Sequence, residues 1–129
     1  MKKLALVLFA LSMMAGQAVA QKVEVMYFKA NLACCHARAC NHLENQVKAI
    51  VEENFQNGEV VFRAVRISDP SNAELVEKYS ARSQTVVVVS ANRRKEKVTD
   101  ATQMVQDFRR TRNKDAFEEN FIGAIKAML

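Results

Sequence analysis

Apolar and polar positions alternate over residues 22–28 (KVEVMYF), and the run is rich in β-formers, so it predicts a first strand. From Cys40 the period changes. Leu43, Val47, Ile50, Val51 and Phe55 recur at spacings of three and four, one stripe of a helix over 40–55, and Asn57-Gly58 ends it. Residues 59–67 (EVVFRAVRI) predict a second strand. Ser68-Asp69-Pro70-Ser71-Asn72 is turn chemistry, with Ser71 or Asn72 placed to cap a short helix through Tyr79.

Residues 85–90 (TVVVVS) form a continuous β-branched run. Such a run implies burial on both faces and hence a central strand. The charged stretch 92–97 (NRRKEK) is a turn, and Lys97-Val98-Thr99 a returning edge strand. Asp100 is placed to cap a helix carrying Met104, Val105 and Phe108, and a last helix spaces Phe117, Phe121, Ile125 and Leu129 by four. The order β-α-β-α-β-β-α-α predicts an α/β fold, a mixed central sheet with helices on both faces.

The N-terminus stands apart. Met1-Lys2-Lys3 is followed by the apolar run Leu4 to Leu11, and Ala18-Val19-Ala20 supplies a small-x-small cleavage pattern. This is the composition of a secretory signal, cut between Ala20 and Gln21, and the uninterrupted apolar core is too short to anchor the chain in a bilayer. Removing 20 of 129 residues leaves 109, one domain of 21–129 with no internal linker. The product is periplasmic or extracellular, without stable membrane insertion. The formal charge of +5 includes Lys2 and Lys3, so it falls to +3. That is an ordinary surface. The clusters Arg93-Arg94-Lys95-Lys97 and Arg109-Arg110-Arg112-Lys114 lack interleaved aromatics, which argues against nucleic acid.

Export changes the meaning of the three cysteines, Cys34, Cys35 and Cys40. Outside the cytoplasm thiols serve first as bridges or redox centres. Here they close only short loops, where a disulfide stabilises least, and an odd number leaves at least one free or paired with another molecule. A redox role is the stronger reading.

A strand ending Tyr27-Phe28, a cysteine cluster just after it and a helix running on through the last cysteine resemble the thioredoxin superfamily. The order of elements extends the resemblance across 21–129, and Tyr79 to Ser83 before Thr85-Val86-Val87-Val88 is similar to the approach to that family's third core strand. The resemblance implies a thioredoxin-like fold and thiol–disulfide exchange with protein or small-molecule thiols, with no further cofactor. Two departures stand out. The family's dithiol is Cys-x-x-Cys, whereas four residues separate Cys35 from Cys40 and Cys34 adjoins Cys35. The family's cis-proline before the third strand is replaced by Ser83-Gln84-Thr85, and a non-proline peptide there is expected to be trans. Gln84 is the residue expected to face the cysteines.

On a continuous helix, residues five apart lie roughly 8–9 Å apart at Cα, beyond the bridging limit of about 7 Å. A Cys35–Cys40 or Cys34–Cys40 bond therefore requires a non-helical stretch around His36-Ala37-Arg38. With that loop, the catalytic set is Cys34, Cys35 and Cys40. Cys35 is the preferred nucleophile, with Cys34 the alternative, activated at the positive end of a helix with Lys29 and Arg38 adding potential, and Cys40 resolves from the buried stripe. Two other readings use the same sequence. In one, the cysteines, with His36, bind a soft metal or metalloid. In the other, the domain is a non-catalytic interaction module. His42 is expected at the surface.

Overall fold

The computed structural model describes residues 23–30, 35–91 and 95–129, with backbone only for 35–37. The expected signal segment, Asn31, Leu32, Cys34, Arg93 and Arg94 lie outside the described residues.

Four strands form one sheet: β1 (Val23–Lys29), β2 (Val60–Arg66), β3 (Val86–Ala91) and β4 (Glu96–Asp100). Their spatial order is β2-β1-β3-β4. β1 pairs parallel with β2, from Val23 opposite Val60 to Lys29 opposite Arg66. It pairs antiparallel with β3, where Val25 faces Val88 and Tyr27 faces Val86. β4 closes the far edge antiparallel to β3, with Val89 opposite Val98. The parallel pair needs a crossover, and α1 (Cys35–Asn54) supplies it. A 3₁₀ turn (Pro70–Asn72) and α2 (Ala73–Lys78) lead to β3, and α3 (Thr102–Thr111) and α4 (Lys114–Lys126) follow β4.

The period-two pattern of β1 divides the molecule into layers. Val23, Val25 and Tyr27 point to one face, with Leu43, Val47, Ile50 and Val51 of α1, Val105 and Phe108 of α3, and Phe117, Phe121 and Ile125 of α4. Met26 and Phe28 point to the other, under Leu75, Val76 and Tyr79. Helices therefore cover both faces, and the α/β architecture expected from the sequence, a mixed central sheet between helices, is the one observed. The β-branched run of β3 is buried from Val86 to Ser90, as a central strand requires. Stacked rings of Phe108, Phe117 and Phe121, with successive centroids 4.7 and 5.3 Å apart, join α3 to α4.

Three local expectations are corrected. Asn72 holds the N-cap position of α2 but makes no side-chain capping bond, and the bond is made one turn earlier, where Asp69 caps the 3₁₀ turn by accepting from the Ser71 N–H at 3.0 Å. Leu129 is exposed, and Met128 takes its place in the core because α4 ends at Lys126 and the last turn tightens. Most consequentially, the first helix begins at Cys35 rather than Cys40, so His36, Ala37 and Arg38 are helical and the loop required for an intramolecular bridge is absent. Each of these residues suits a helix, and no glycine or proline interrupts them.

Candidate functional site

The cysteine segment sits where β1 hands over to α1, at the carboxyl end of the strand that has a parallel neighbour on one side and an antiparallel one on the other. Cys35 is the first residue of α1. α1 is described from Cys35 onward, and residues 31–34, which lead into it, lie outside the described residues.

Cys40 lies one and a half turns deeper. It is buried, unbridged, and shares the stripe of Leu43 and Val47, as its sequence spacing predicts. Its sulfur lies 3.6 Å from the hydroxyl of Tyr27, which is fully buried and also donates weakly to the Cys40 carbonyl at 3.4 Å. Burial, followed by the hydrogen bond with Cys40, holds the Tyr27 phenol well above its ordinary range. Tyr27 was read from sequence only as a strand residue. Nothing in a linear pattern says which helix residue a strand side chain will meet.

The unbroken helix separates Cys35 from Cys40 along its backbone. Five residues of α-helix place the Cα atoms of Cys35 and Cys40 about 8–9 Å apart, so the expectation that Cys35 lies in a loop within bridging reach is overturned. Cys34 lies outside the described residues. Among the described residues no group of three His, Cys, Asp or Glu side chains is gathered as a metal site.

The remaining candidates take definite positions. Lys29 bonds Glu44 at 2.7 Å, so its charge is directed to a carboxylate across the β1–α1 contact rather than to a thiol. Arg38 and His42 are exposed. No cis peptide occurs among the described residues, so the Ser83–Gln84 and Gln84–Thr85 bonds are trans as expected. Gln84, however, has a left-handed backbone, φ +67°. Its N–H donates to the Phe28 carbonyl at 2.8 Å, and the Phe28 N–H donates to the Thr85 carbonyl at 2.8 Å. These bonds tie the segment before β3 to the end of β1. The Gln84 Oε1 accepts from Arg109 of α3 at 2.9 Å. In the sequence Arg109 stands only as one of a cluster of cations. Its charge also reaches the buried Tyr27 phenol, opposing the upward shift there.

No family model matches the chain, and no curated protein matches it. Among solved structures, it is similar to a thioredoxin from Thermus thermophilus, at 16% identity over 82% of each chain with a TM-score of 0.45. It is also similar to a structure described as a malarial protein, at 18% identity over 61% of this chain and 80% of the other, with a TM-score of 0.41. At these scores neither likeness adds to the strand order and crossover described above.

Proposed function

We propose that this chain is an exported, thioredoxin-like thiol–disulfide exchange module whose reacting thiol belongs to the Cys34-Cys35 pair. The observation that supports this most directly is the place of Cys35, the first residue of α1 at the carboxyl end of β1. A thiolate there attacks one sulfur of a disulfide. A new S–S bond forms to the protein, the old S–S bond breaks, and the departing sulfur leaves as a thiolate. A second thiolate then attacks the mixed disulfide and releases the protein thiolate. With α1 helical from Cys35, that second thiol comes from solution. Cys40 resolves only if the first turns of α1 unwind, because the helix holds it out of reach.

Soft-ion binding through Cys35 and Cys40 together meets the same separation and has no supporting contact among the described residues. The exchange reading is tested by treating the reduced protein with a small symmetric disulfide and mapping the adduct by mass spectrometry. The first adduct is expected on Cys34 or Cys35, with one equivalent of thiol released and Cys40 unmodified until the protein is unfolded. An adduct first at Cys40, or no adduct at any cysteine, would overturn it.

A further inference from the structure

Beside the cysteine-bearing turn, α1 and α3 enclose a small groove of about 70 Å³. Ala39, His42, Leu43 and Gln46 form one wall, and Phe108, Arg109 and Arg112 the other. Buried Leu43 and Phe108 make an apolar floor, while exposed His42, Arg109 and Arg112 make a polar, basic rim. Among the described residues, no ion pair engages Arg109 or Arg112, whereas Lys29, Lys78 and Arg110 each hold a carboxylate. Arg109 is oriented by a neutral partner, the Gln84 amide oxygen, which leaves its charge uncompensated and its other N–H groups available.

The groove follows the backbone position of Cys35 along α1. Residues 35, 39, 42 and 46 follow one another at spacings of four, three and four, so the position of Cys35 continues the α1 wall by one turn. Along the axis, the groove residues Ala39 to Gln46 lie roughly 6–17 Å from Cys35 at 1.5 Å per residue. An extended peptide spans the nearer half of that range in two or three residues, at about 3.3–3.6 Å each.

We propose that this groove is a specificity subsite for acidic peptides: it takes the side chain of a glutamate two or three residues from the cysteine of a disulfide substrate. The apolar floor suits the methylene stem, and the two guanidinium groups suit the carboxylate, which arginine binds with charge-assisted hydrogen bonds. The substrate role rests on the exchange reading above; the binding of an acidic side chain does not.

The test uses three peptide disulfides that differ only at that position, carrying Glu, Gln or Lys, and the same three peptides with serine in place of cysteine. Mixed-disulfide formation is timed by quenched mass spectrometry, and the serine peptides are titrated by calorimetry. The Glu peptide is expected to react and bind roughly tenfold better than the Gln peptide, since two exposed ion pairs each contribute modestly. The Lys peptide is expected to be the poorest. In the double variant Arg109→Gln/Arg112→Asn the Glu-to-Gln ratio should fall to near one; asparagine tolerates the left-handed backbone of Arg112, φ +60°. Arg110→Gln removes the same kind of charge from outside the groove and should keep the ratio. Equal rates and affinities for the three peptides in the parent, or a ratio unchanged in the double variant, would overturn the subsite while leaving the exchange reading intact. If no disulfide reacts but the serine peptides keep the Glu preference and lose it in the double variant, the exchange reading fails and the binding site stands.

Discussion

Gln84 holds a backbone conformation that costs an ordinary L-residue about 1–2 kcal/mol, and its N–H is spent on the Phe28 carbonyl. The resembling family has proline in this neighbourhood, yet proline fits neither requirement: its φ is fixed near −65° and it has no N–H. Gln84→Pro is therefore expected to lose roughly 3 kcal/mol or more, whereas Gln84→Gly should stay within about 1 kcal/mol of the parent, relief of strain offsetting a more flexible unfolded chain. Urea unfolding with unchanged slope reads both, and a Gln84→Pro variant as stable as the parent would show that the left-handed conformation is wrong. Tyr27 makes a second prediction. Its phenol is held neutral in the folded state above the range where an unfolded tyrosine ionises, about pH 10. Stability from this group is thus complete below pH 10 and declines as pH rises past it, by up to about 1.4 kcal/mol per pH unit. Tyr79 shifts in the same direction, more exposed and beside Glu96. Alkaline unfolding curves for Tyr27→Phe should fall less steeply above pH 10 than those of the parent; parallel curves would mean that the phenol ionises freely in the fold.

At the scale of elements, the sequence was legible wherever burial imposes a period. Leu43, Val47, Ile50 and Val51 mark the buried stripe of α1 and bring Cys40 onto it, and the β-branched run of β3 declares its central position. The start of α1 was not legible in the same way. Cys35, His36, Ala37 and Arg38 carry no apolar period in the sequence. Helix propensity alone governs them there, and it is a weak signal. The consequence is chemical. A helix that starts five residues earlier changes Cys40 from a partner within reach of Cys35 into a buried thiol under Tyr27. Contacts made by chain-distant residues were equally silent: Arg109 meets Gln84 across 25 positions, and Lys29 meets Glu44 across 15. Each was visible in the sequence as a charge, but only the packing of α1 and α3 against the same sheet face gives those charges neighbours.

For the whole molecule, the sheet already engages the first described residue. Val23 is already bound on both sides, opposite Val60 in β2 and Ser90 in β3, and its N–H donates to the Glu59 carbonyl at 2.8 Å. Its side chain is fully buried in the cluster that contains Phe121 and Ile125. The expected cleavage site after Ala20 leaves Gln21 and Lys22 ahead of Val23, the first described residue of β1. A chain of residues 21–129 is therefore expected to fold with a stability within about 0.5 kcal/mol of the full chain, the usual range for changes that touch no buried group. A chain beginning at Val25 should lose several kcal/mol, because it deletes the Val23 side chain from the core and one end of both ladders. Denaturant midpoints of the three chains test this, and the intact mass of exported protein tests the cleavage itself. Retention of Met1 to Ala20, or failure of 21–129 to fold, would show that the leading segment belongs to the domain rather than to its delivery.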